Sequence, residues 1–191
     1  MDAVFFKAAN PPQFKCLGAT LLPLTIGHLV LLRKYCPDVF DSDEIDRGTL
    51  AVATFICAHP QAKVEGLFRR FLVPFTFKIW AWLSKRRNIE AERGRFEAYL
   101  EASLDPPKIW RDLSEPLNHC QAPIELGLLV RMMTDLHYTE ADALDLPVVK
   151  ANALRACHGE LLGKFSFADA RTQGLFEFAR RMEAEKKNKE N

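Results

Sequence analysis

Apolar residues recur at spacings of three and four along most of the chain, the period of helices that bury one face. From Leu24 to Tyr35, Ile26, Leu29, Val30 and Leu32 share a broad apolar face. Arg33 and Lys34 fall in the last turn, where they suit the negative end of the helix dipole, and Pro37 predicts the stop. Ser42 is predicted as the N-cap of a second helix, with Asp43, Glu44 and Asp46 in its first turn and an end near Ala58, before Pro60. A third begins near Gln61 with Val64, Leu67, Phe68, Phe71 and Leu72 on one side, until Pro74 removes a backbone donor and breaks or kinks it. Residues 89–104 are amphipathic again, with Phe96, Tyr99 and Leu100 on one face.

The second half has sharper punctuation. Four of the eleven prolines fall in "LDPPKIWRDLSEPLNHCQAP" (104–123), which reads as a connection between two helical groups. Pro123 suits the first turn of a helix carrying Ile124, Leu126, Leu128, Leu129, Met132 and Met133 and stopping near His137. Thr139 is predicted to cap a short helix over 140–144, and Asp145 to cap one opening at Pro147, which Gly159 and Gly163 loosen or end. A last helix with Phe176, Ala179 and Met182 on one side runs into a charged tail. No alternating run is long enough to suggest a sheet. The expected fold is all-α: a compact bundle of about six to eight short helices, read as regions 1–104 and 123–191 around the connection 105–122, either two helical subdomains or one domain.

Composition narrows the class. Hydrophobic residues at 48% and charged residues at 27% are ordinary for a folded globular chain, which argues against wholesale disorder. A net charge of +1 gives no whole-molecule field for a phosphate backbone, so nucleic acid is not the expected partner. The local exception is the 85–95 cluster, Lys85, Arg86, Arg87, Arg93 and Arg95, which follows Trp80 and Trp82 but is diluted by Glu90 and Glu92. "CLGATLLPLTIGHLVLL" is just short of a spanning length and broken by Gly18, Pro23 and Gly27, and "FLVPFTFKIWAWL" is shorter still, so no transmembrane span is expected. The start "MDAVFFKAAN" lacks a basic region before an apolar run, and five irregularly spaced cysteines do not form a disulfide framework. Both point to the cytoplasm.

Candidate chemistry is sparse. Cys57 with His59, His119 with Cys120, and Cys157 with His158 lack zinc-ligand spacing, and neighbours on a helix point about 100° apart. Cys57 and Cys157 fall near predicted helix C-termini, where the dipole opposes a thiolate. "DSDEID" lacks the glycine and terminal glutamate of a calcium loop. Neither phosphate-binding glycine loops nor nucleophile elbows occur. The reading is therefore of a protein without enzymatic activity, metal or cofactor, working through apolar surface.

Two segments carry a resemblance to a known family. "LLPLTIGHLVLLRKYCPDVF" is similar to an early helix in small proteins of phage-like gene clusters, where a proline, an apolar residue, Thr or Ser, another apolar residue and Gly-His lead into an apolar helix. "TEADALDLPVVKANALRACHGELLG" resembles the part of tail assembly chaperones of long-tailed bacteriophages in which an acidic turn, a Leu-x-Leu/Met-Pro step and an apolar helix follow one another. Glu140, Ala143, Leu144, Leu146 and Pro147 occupy the matching positions, with Glu160 further along. The resemblance implies a helical assembly factor in the host cytoplasm that binds the tape measure protein, keeps it soluble and recruits tail tube subunits.

Such a protein needs a face for a partner helix. Phe71, Phe75, Trp80 and Trp82 are candidates for it, as are Met132 and Met133, because aromatic and thioether groups are common at interfaces. The corner residues Leu144, Leu146 and Pro147 are candidates of the same kind. A homo-oligomer is admitted as well. The alternative function is a small helical nucleic-acid-binding or regulatory protein using the 85–95 basic cluster.

Overall fold

A computed structural model describes residues 12–41, 45–69, 88–105, 109–110, 123–163 and 166–167. Helices dominate, as their periodicity predicts. In chain order the elements are β1 (Phe14–Cys16), β2 (Ala19–Leu21), α1 (Ile26–Tyr35), α2 (Asp38–Asp41), α3 (Arg47–Cys57) and α4 (Gln61–Arg69). They continue with α5 (Ile89–Leu104), β3 (Ile109–Trp110), α6 (Ile124–Leu136), α7 (Glu140–Leu144), α8 (Val148–Leu161) and β4 (Ser166–Phe167). Strands β1 and β2 pair antiparallel, as do β3 and β4.

The hairpin of β1 and β2 is a correction to the all-helical pattern. Its two linking residues, Leu17 and Gly18, both have positive φ, at 49° and 86°, which matches the strand twist in a type I′ turn. Leucine is strained there, and the strain is offset locally: the Leu17 amide donates to the Glu92 carboxylate at 2.7 Å. Glu92 is buried on α5, and its other oxygen accepts from Arg95 at 2.9 Å. The turn is thereby fastened to α5.

The helix starts follow capping chemistry, with three departures from the expected pattern. Thr25, rather than Leu24, opens α1: its hydroxyl accepts from the His28 amide, and the His28 ring accepts from the Thr25 amide in a reciprocal capping box. Asp46 caps α3 itself, accepting from the Gly48 and Thr49 amides, where Ser42 had been expected to cap a helix with Asp46 inside it. Thr139 caps α7 as predicted, but Asp145 does not cap α8, which opens at Pro147 without any side-chain cap.

The amides at the start of α8 are satisfied from elsewhere. Ile26 donates to the carbonyl of Leu146 at 3.1 Å, and Val148 donates to that of Leu24 at 2.8 Å. Thr25 and Pro147 thus form an antiparallel bridge between the starts of α1 and α8, and each helix answers a first-turn donor of the other.

One core runs through the molecule. Leu29 and Leu32 of α1, Leu50 and Ile56 of α3, Phe96 and Tyr99 of α5, Met132 of α6 and Val148 of α8 all belong to it. Residues on both sides of the proline-rich connection share this core, which favours one domain. Gly27 marks the tightest approach: a Cβ there would sit 1.8 Å from the Gln61 side-chain oxygen and 3.0 Å from the Leu144 carbonyl.

Candidate protein-docking surface

Helix α6 carries a wider apolar face than the single stripe of an ordinary surface helix, with Arg131, Thr134 and Asp135 on its remaining side. Leu128 and Met132 point into the core, and Leu129 and Leu136 pack against its edge. Leu126, Val130 and Met133 point away, with 46%, 56% and 39% of their surfaces exposed, and Ile124 at the helix start is 55% exposed. Spacings of four and three keep Leu126, Val130 and Met133 on one side of the helix, and His137 continues the row in a left-handed C-cap at φ 57°. Gly127 lies beside them, with open space where a Cβ would stand.

The inner side of α6 is anchored by charge. Glu125 is buried in the first turn and accepts from Arg33 at 3.2 Å, while Arg33 also reaches Asp41 at 2.9 Å and lies over the Phe40 ring. The second Glu125 oxygen is buried without a hydrogen-bond partner. Rigid anchoring on one side holds the apolar outer side toward solvent.

The predicted site residues separate on this geometry. Met133 is on the surface, but Met132 is fully buried and belongs to the core, a correction that follows from adjacent helical residues pointing about 100° apart. Leu146 is buried, Leu144 is half-buried against the core, and Pro147 is held in the bridge with Thr25. That corner is therefore internal packing rather than a free surface. Phe71, Phe75, Trp80 and Trp82 lie outside the described residues, as do Lys85, Arg86 and Arg87.

Of the remaining basic candidates, Arg93 is half-buried and donates to the Ile45 carbonyl at 2.6 Å, and Arg95 pairs with Glu92. Arg93 thus ties α5 to the segment before α3, whereas Arg95 is exposed and pairs within α5 itself. Sequence reasoning missed Leu126, Val130 and Ile124 as surface, along with exposed Leu161 and Leu162 at the end of α8. The signal was present in α6, which has more apolar residues than one core-facing stripe can use.

Among the described residues the cysteines and histidines form no metal-binding or catalytic set, although Cys16 and Cys36 lie near enough to Cys57 to act on it electrostatically; His119 and Cys120 lie outside the described residues. Cys16, Cys36 and Cys57 are buried in separate elements of the core, and burial pushes the Cys36 and Cys57 thiols up to about 12 and raises that of Cys16. Thiols so placed stay protonated at neutral pH and make poor nucleophiles. Cys57 ends α3, and Cys157 and His158 are half-buried neighbours on α8. Among the described residues no three His, Cys, Asp or Glu side chains gather as a metal site. No described helix is long and apolar enough to cross a membrane. The sequence matches no protein-family model, and neither a curated protein nor a solved structure matches it.

Proposed function

We propose that this chain is a non-enzymatic helical assembly factor of phage type, a tail assembly chaperone that binds the tape measure protein and recruits tail tube subunits in the cytoplasm of a bacterial host. The observation that carries the reading is the outward apolar row of Leu126, Val130 and Met133 on an otherwise anchored helix. An amphipathic partner helix laid against such a row buries its own apolar stripe and is kept from aggregating. The family resemblance supplies the identity of that partner, and the α6 surface supplies a physical means of holding it.

Co-expression with a candidate tape measure protein tests the proposal, scored by the soluble fraction of that protein and by co-purification. Wild-type chain is expected to give both, and Leu126→Asp with Val130→Asp to reduce co-purification at least about tenfold, since each change puts a charge into an apolar contact. Failure of the wild-type chain to rescue or bind would sink the proposal.

A further inference from the structure

Helix α8 turns one face toward the rest of the fold, with Val148, Ala151, Asn152, Ala156 and Gly159 buried along it. Arg155 falls in the middle of that face, three residues after Asn152 and four before Gly159. A guanidinium in such a place is normally met by a carboxylate or a carbonyl, because an unpaired charge is costly to take out of water. Other arginines of the fold follow that pattern: Arg33 has Glu125 and Asp41, Arg93 has the Ile45 carbonyl, and Arg95 has Glu92.

Arg155 departs from it. Among the described residues no hydrogen bond or ion pair engages Arg155, nor Asn152, which is only 4% exposed. Helix α6 packs against α8 and brings a second cation, Arg131, rather than an acid. Arg131 likewise has no partner among the described residues, and it is exposed whereas Arg155 is half-buried. Burial lowers the Arg155 pKa, and the Arg131 charge lowers it further, while no carboxylate among the described residues acts to raise it. Both guanidiniums stay charged at neutral pH all the same. The acids on these two helices stand aside: Asp135, one turn beyond Arg131, makes no ion pair with it and accepts from the Thr134 hydroxyl at 3.0 Å, and Glu160 lies about 140° round α8 from Arg155.

We propose that Arg131, Asn152 and Arg155 form a binding site for a phosphate dianion between α6 and α8. Two guanidiniums bring two positive charges, which a dianion cancels and a single carboxylate only halves. Each planar fork offers paired N–H donors that match two oxygens of a tetrahedral group, and the Asn152 amide supplies a further donor. Exposed Arg131 stands on the solvent side, where the ion enters, and half-buried Arg155 holds the inner side, where hydrogen bonds to a charge are less screened. A bound phosphate replaces the repulsion between the arginines by their attraction to a common anion, so it stabilises the fold that binds it. The site does not depend on the chaperone reading, which concerns the outward row of α6.

Isothermal titration of the full chain with inorganic phosphate at fixed ionic strength, with thermal unfolding in the same buffers, tests the site. Wild type is expected to bind with a Kd at or below about 1 mM and to melt about 2–4 °C higher in roughly tenfold excess over that Kd. Acetate at the same concentration is expected to do neither. Arg131→Gln is expected to weaken binding at least about tenfold, and Arg155→Gln to abolish it. In phosphate-free buffer Arg155→Gln is expected to melt at the wild-type temperature or above, since it removes a like charge, whereas a purely structural arginine would be missed. Glycerol phosphate binding as tightly as inorganic phosphate identifies a phosphorylated small molecule as the occupant, and binding of inorganic phosphate alone identifies the free ion. No heat and no shift in the wild type, or an equal response to acetate, overturns the proposal. Should Arg155→Gln fail to fold, exposed Arg131 decides the matter, and binding unchanged in Arg131→Gln overturns the proposal as well.

Discussion

His28 joins the start of α1 to the end of the α3 segment through one ring. Its Nδ1 accepts from the Thr25 amide and its Nε2 donates to the His59 carbonyl at 2.9 Å, an arrangement that requires the neutral Nε2-protonated tautomer. Burial is the main cause that lowers its pKa below the ordinary 6.5, against smaller raising effects from the His59 and Pro23 carbonyls and the Asp145 charge. The unfolded chain therefore takes up the proton first as pH falls. Stability from this group is complete above about pH 6.5 and is lost as pH drops through the folded-state pKa, with a slope of up to about 1.4 kcal/mol per pH unit. Urea midpoints at pH 7.5 and pH 5 are expected to differ more for the wild type than for His28→Gln. Glu125 makes a second residue-scale prediction. Arg33→Met leaves a buried carboxylate without its cation and is expected to cost about 3 kcal/mol in denaturant unfolding, whereas Arg33→Met with Glu125→Met recovers most of it. Neither role was legible beforehand: His28 read as one letter of a resemblance and Glu125 was not singled out, because the His59 carbonyl and the Arg33 guanidinium that engage them lie 31 and 92 residues away.

Among the elements, legibility followed the range of the forces involved. The extents of α5 and α7 agree with the local pattern, and α4 opens at Gln61 as read, while its expected run to Pro74 passes beyond the described residues. Sequence pattern puts Asp46 inside its helix and Asp145 at a cap, whereas Asp46 is itself the cap and the reciprocal bonds of the bridge make a cap at Asp145 unnecessary. The difference is measurable. Asp46→Ala removes the carboxylate oxygen that accepts from two amides, and with it the 2.6 Å bond donated by the Thr49 hydroxyl, and is expected to cost about 1–2 kcal/mol. Asp145→Ala, at an exposed position with no amide at a helix start to accept from, is expected to change stability by only a few tenths of a kcal/mol on the same denaturation assay. The hairpin escaped notice because strands of three residues are too short to show alternation, and because a leucine with positive φ gives no warning in sequence. In α6 the excess of apolar residues was visible, but which of them faced outward depended on where Arg33 and the core take hold.

For the molecule as a whole, the deciding contact is the bridge between Thr25 and Pro147, made by backbone atoms that no residue identity encodes. That is why the sequence could be divided at its proline-rich connection, while the folded chain puts residues from both sides into one core. The bridge predicts that the amides of Ile26 and Val148 exchange with solvent together, at a rate near that of global unfolding, because neither hydrogen bond opens unless α1 and α8 separate. Hydrogen exchange followed by NMR checks this, and an Ile26 amide exchanging orders of magnitude faster than Val148 would contradict it. The same contact bears on how the protein is made. The first turn of α1 is translated early, yet the carbonyl it needs belongs to Leu146, so at a synthesis rate of about 5–20 residues per second the nascent helix start waits several seconds for its partner. During that interval Ile26 and its apolar neighbours are open to whatever else is in solution. The chain thus passes, on its way off the ribosome, through a state in which it is itself in need of protection.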